Sequence, residues 1–120
     1  MDENLRRKLI EAKIDIDEAM ERLMNKFELF ERFVKRFPTE ESFNKLQNAL
    51  VEGNADAAFR AAHSLKGVCA NMSMNDLKES VSAQVEYLRA GNLEAALEIN
   101  PEVVDKYQKM VDDINKIFEV

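Results

Sequence analysis

Ala55-Asp56-Ala57-Ala58-Phe59-Arg60-Ala61-Ala62-His63-Ser64-Leu65-Lys66-Gly67-Val68-Cys69-Ala70-Asn71-Met72 is the stretch that decides the fold. On a wheel of about 100° per residue, Ala58, Ala62, Leu65, Cys69 and Met72 fall on one side, as in a helix with one face in a core. His63 lies well outside that stripe, at its edge or on the surface. Phe59, Lys66, Gly67 and Ala70 surround it at helical spacing. Alternating polarity, the mark of a half-buried strand, is absent here and elsewhere in the chain.

Working outward, Gly53-Asn54 separates this helix from one opened by Thr39, with Glu40 and Glu41 in its first turn and a stripe of Phe43, Leu46, Ala49 and Leu50. Farther upstream, Met20, Leu23, Met24, Phe27, Phe30 and Val34 recur three or four residues apart. That spacing predicts one helix, capped by Asp15 or Asp17 and stopped at Phe37 by Pro38. Asn4 to Ile14, with Leu5, Leu9 and Ile10, predicts a short amphipathic helix folded over a larger body.

Downstream, a helix from about Asp76 to Ala90 is followed by Gly91-Asn92. Asn100-Pro101 predicts a cap and first-turn proline for a last helix through Tyr107, Met110, Val111, Ile114, Ile117 and Phe118. The expectation is an all-α chain of four substantial helices behind shorter N-terminal ones, with short turns that force antiparallel neighbours. Gly53-Asn54-Ala55-Asp56-Ala57-Ala58 is echoed by Gly91-Asn92-Leu93-Glu94-Ala95-Ala96. Two copies without a wider matching frame read as a shared turn and cap rather than a helical repeat.

The 120 residues suit one compact domain, and 46% hydrophobic with 33% charged residues is a globular balance. No apolar run exceeds three residues, so no membrane span or secretory signal is expected. Cys69 is the single cysteine and cannot form an internal disulfide, which fits a reducing compartment and makes the cytoplasm the expected location. A net charge of −6 opposes nonspecific binding to nucleic acid or anionic membranes.

One histidine, one cysteine and no tryptophan leave little chemistry to assign. A metal site with several His or Cys ligands cannot be assembled, and no glycine-rich phosphate loop or nucleophile elbow occurs. Gly67 is conspicuous, because inside a helix it costs about 1 kcal/mol relative to alanine. Four residues after His63, it leaves a notch beside the imidazole, and Lys66 brings an ammonium to the same face. Notch, cation and nucleophilic ring suit an incoming phosphoryl group. Close helix packing at Gly67, a solvated Lys66 and a surface histidine of no consequence account for the same residues.

Ala62-His63-Ser64-Leu65-Lys66-Gly67, continuing Val68-Cys69-Ala70-Asn71-Met72 and then Leu77, resembles the signature of histidine phosphotransfer (HPt) domains. The resemblance extends to Phe37, Gly53-Asn54 and Arg89-Ala90-Gly91-Asn92, and covers the chain from about Asp15 to the C-terminus. It implies one domain over 1–120, with 1–14 as a helical extension and 15–120 as an antiparallel up-and-down four-helix bundle.

It further implies that His63 is the phosphoacceptor, Lys66 positions or neutralises the phosphoryl group, and Gly67 leaves room for a docking receiver domain. Phe59 and Ala70 are expected at the apolar docking surface. Two departures stand out. Ser73 occupies a position usually held by Gly, and Val85 stands where many members carry a Gln or Glu that holds the imidazole, so orientation of His63 is expected from neighbouring Gln84 or from water.

A monomeric phosphoryl carrier is implied, not an enzyme by itself. It would need no cofactor of its own, with Mg²⁺ supplied by the partner. Its partners would be response-regulator receiver domains and a hybrid sensor histidine kinase. A phosphorylation-independent helical adaptor is the competing expectation, and the starting Met favours a free-standing protein.

Overall fold

The computed structural model describes residues 1–119; Val120, at the end of the expected domain, lies outside them. The helices are α1 (Glu3–Glu11), α2 (Ile16–Arg22), α3 (Phe27–Arg36), α4 (Glu41–Glu52), α5 (Ala55–Asn71), α6 (Asn75–Arg89) and α7 (Leu93–Phe118), with a 3₁₀ turn at Phe37–Thr39. No strand occurs among the described residues.

Short polar side chains start most of these helices by accepting from free first-turn N–H groups. Asp2 accepts from Leu5, Asp15 from Glu18, Asn54 from Ala57 and Asn92 from Ala95. Gly53 and Gly91, at φ of 71° and 75°, take the left-handed conformation that ends the preceding helix. The echoed Gly-Asn segments are thus the same turn and cap used twice.

Four expectations about the helices are corrected. The single helix through Met20 and Val34 is broken at Leu23–Lys26, where Met24 and Asn25 have φ of 54° and 62° and the Asn25 N–H donates to the Met20 carbonyl at 2.7 Å. Met24, expected in the apolar stripe, is 80% exposed. Thr39 sits in the 3₁₀ turn instead of opening α4; Glu40 is the cap, its carboxylate accepting from the Ser42 N–H at 3.1 Å and the Ser42 hydroxyl at 2.8 Å.

The last helix starts at Leu93 instead of Asn100, and Pro101 lies inside it. An interior proline costs about 3 kcal/mol. Burial of Ala96, Val103, Tyr107, Met110 and Ile114 along one face outweighs that cost. The Asn100 side chain, freed from capping, accepts from Gln47 at 3.2 Å and from Gln84 at 3.1 Å, and donates to Gln47 at 2.7 Å.

The main packing pairs are α4 with α5, α5 with α6 and α6 with α7, while α3 also meets α7. Phe30, Phe37, Leu46, Leu65, Leu77 and Ile114 are fully buried between them. Tyr107 stacks on Phe43 with centroids 3.9 Å apart and donates its hydroxyl to the Phe37 carbonyl at 3.3 Å. Burial pushes that phenol up to about 12.

Ser73, in the α5–α6 connection, has φ of 53°, a conformation that explains why glycine suits the position. The N-terminal layer holds it there. The Asp15 N–H donates to the Ser73 carbonyl at 3.0 Å, the Ser73 hydroxyl donates to Glu18 at 2.8 Å, and Arg22 donates to the Ser73 hydroxyl at 3.1 Å and to the Asn71 carbonyl at 3.0 Å.

Hydrogen bonds from Ser73 and then Asn75 hold the Glu18 carboxyl below its ordinary value of 4.5. A depressed carboxyl contributes stability above its unfolded value and loses it as pH falls through the folded one. Glu18→Ala should therefore melt below the wild type at neutral pH, with the gap closing in acid. Parallel melting curves across pH 7 to pH 3 check this, and a gap independent of pH would contradict it.

Candidate functional site

Helix α5 places its small and apolar residues, Ala58, Ala61, Ala62, Leu65 and Cys69, against the core. The opposite face is free. His63 is exposed near the middle of that face, and Phe59, one turn earlier, meets it with ring centroids 6.0 Å apart and planes at 70°. Lys66 and Ala70 are half-buried and Gly67 is exposed. A Cβ built on Gly67 would meet nothing within 4 Å, so the glycine leaves open space beside the imidazole and does not serve close helix packing. Phe59, His63, Lys66, Gly67 and Ala70 thus lie together as the wheel predicts.

Helix α6 adds a residue that the wheel of α5 could not reveal. The Arg89 guanidinium lies over the Phe59 ring, 5.0 Å from its centroid. Its Nε donates to the Glu86 carboxylate one turn back at 3.3 Å. The only sequence signal for this contact was a basic residue in the last turn of a helix adjoining α5.

The family model for the Hpt domain matches residues 28–116, nearly three quarters of the chain. This chain belongs to the Hpt domain family. Hpt domains serve phosphotransfer in two-component signalling, where they interact with receiver domains and kinases. The match begins within α3, after α1 and α2, includes α4 to α6 and the whole His63 face, and ends at Lys116 within the last turn of α7. No curated protein and no solved structure matches the chain.

Within this Hpt domain, Gln84 does not meet His63. It is fully buried, and its Nε2 donates to the Ala96 carbonyl at 3.0 Å and to Asn100 Oδ1 at 3.1 Å, both on α7. The expectation that Gln84 orients the imidazole is corrected accordingly. Gln84 continues the buried α6 stripe of Leu77, Ser80, Val81 and Leu88, and at that spacing it must face the same way. Val85 is also fully buried.

Cys69, two turns beyond His63, is not a second nucleophile. Burial first, and then Glu40, push its thiol up to about 12, which keeps it protonated near neutrality. Among the described residues no cluster of His, Cys, Asp and Glu could hold a metal ion, and no helix is long and apolar enough to cross a membrane.

Proposed function

We propose that this Hpt domain accepts a phosphoryl group on His63 and relays it between the aspartates of receiver domains. The observation that carries the reading is the exposed imidazole at mid-helix, the chain's only one, with open space at Gly67 beside it. The scaffold is an antiparallel up-and-down bundle of α4 to α7 with the N-terminal helices as an added layer, a reading supported by the short connections between the four. It forms one domain over 1–120.

An imidazole nitrogen attacks the phosphorus of an aspartyl phosphate. The N–P bond forms as the acyl P–O bond breaks, and the carboxylate leaves. Both are high-energy linkages, so the reverse step to a second receiver proceeds without added energy input. Charge on the phosphoryl group in flight would be neutralised by Mg²⁺ held on the receiver, not by this chain. This chain needs no cofactor and is a carrier, not an enzyme by itself. The phosphoryl group enters from a hybrid sensor histidine kinase through its receiver, and the carrier acts as a cytoplasmic monomer. Phe59 and Ala70 lie at the docking surface.

Lys66 lies about one helical turn from His63 on α5. Lys66→Ala should slow transfer or shorten the phosphohistidine lifetime by about tenfold, the scale of one charge-assisted contact. Stability should change by less than about 0.5 kcal/mol. Quench-flow transfer and decay of labelled protein check both, and wild-type values would mark Lys66 as merely solvated.

The reading itself is tested with a panel of phosphorylated receiver domains and Mg²⁺. Label should move to this chain and return when unphosphorylated receiver is added. Binding of receivers without transfer from any of them would instead make the protein a helical adaptor.

A further inference from the structure

We infer that Phe59, held in place by Arg89, positions the imidazole of His63 for transfer. This rests on His63 being the phosphoacceptor. An exposed imidazole on a helix turns freely among its rotamers, whereas attack on phosphorus needs a nitrogen held in line with the breaking bond. The buried amide next to the expected orienting position cannot supply that hold. Gln84 is fully buried with its Nε2 directed to Ala96 and Asn100 on α7, and the Val85 side chain has no polar atom.

The Phe59 ring remains, one helical turn from His63, at the separation and tilt of a favourable edge-to-face pair. Phe59 is itself only half-buried and would be a loose support alone. Arg89 reaches across from α6 to cover its ring at 5.0 Å, and Glu86 fixes Arg89 through hydrogen bonds at 3.3 Å and 3.4 Å. The order of support is Glu86, Arg89, Phe59, His63. It ties the orientation of the imidazole on α5 to the end of α6, and an aromatic edge replaces a hydrogen bond as the orienting contact.

The single histidine makes the test direct. In the full chain, Phe59→Leu, Arg89→Ala and Arg89→Lys are compared by NMR of the His63 ring and by transfer from a phosphorylated receiver over a range of receiver concentrations. Phe59→Leu should remove the ring-current displacement that Phe59 imposes on the His63 resonances and lower the maximal transfer rate by about two- to tenfold, the worth of one aromatic pair. Arg89→Ala should move both in the same direction by less, and Arg89→Lys should restore most of the loss. Melting temperatures of the two Arg89 variants should match the wild type, since the side chain is exposed.

A loss confined to the receiver concentration needed for half-maximal rate, with unmoved ring resonances, would leave Phe59 and Arg89 as docking contacts only, with no part in orienting His63, and overturn the inference. Wild-type resonances and rates in Arg89→Ala would remove Arg89 from the arrangement. Failure of the underlying assignment looks different: the unmodified chain itself would then take no label on His63.

Discussion

His63→Gln should abolish receiver-dependent phosphorylation while leaving the helices and the melting temperature unchanged. No other imidazole exists in the chain to take over the role. Glutamine is a good helix former, and the residue it replaces is exposed and outside the α5 core stripe, so the stability change should stay within about 0.5 kcal/mol. Its amide retains hydrogen-bonding capacity but has no lone pair able to form a stable N–P bond. Circular dichroism and thermal melting establish that the variant folds; radiolabel transfer establishes that it carries nothing. Persistent label would put the acceptor on a serine or aspartate and remove the mechanistic basis of the proposal.

Gly67 separates access from stability. Gly67→Ala should stabilise the protein by up to about 1 kcal/mol, because the position is helical, its added methyl meets open space, and alanine loses less backbone freedom on folding. Gly67→Gln should fold equally well, yet its side chain would stand in the open space beside His63, where the proposed transfer brings the receiver. Displacing the two reacting groups by an ångström or more costs on the order of 100-fold in rate. Melting temperature and receiver-dependent transfer measured on both variants decide the matter. A stable, transfer-deficient Gly67→Gln protein agrees with a docking notch, whereas a fully active one contradicts it.

The parts of this structure that were legible in the sequence are those set by neighbouring residues. Asn54 and Asn92 cap the helices that follow them, Gly53 and Gly91 turn the chain, and the apolar period of α5 leaves His63, Lys66 and Gly67 on the outer face. What escaped was set by residues far apart. The break after Arg22 belongs to a layer whose guanidinium reaches Asn71 and Ser73, and no periodicity in Met20 to Val34 carries that information.

Pro101 reads locally as a helix start, but the burial of α7 along α6 overrides it. The inward direction of Gln84 is legible locally, because it falls on the same stripe as Leu77, Val81 and Leu88. The Arg89–Phe59 contact crosses between helices, and a basic residue in the last turn of α6 does not by itself say which ring it covers. Ser73 shows both sides. Its left-handed backbone was foreshadowed by the glycine usual at that position, while Glu18 and Arg22, which hold it, could be found only in three dimensions.

The central claim is that a phosphoryl group becomes bonded to a nitrogen of His63. It is tested most directly by phosphorus and ring-proton NMR of the intact chain after transfer from a phosphorylated receiver. The account predicts a phosphoramidate signal, a concerted shift of the single set of histidine ring resonances, and loss of both changes in acid but not in base. An acid-stable phosphorus signal, or a phosphorylated protein whose histidine resonances have not moved, would contradict it.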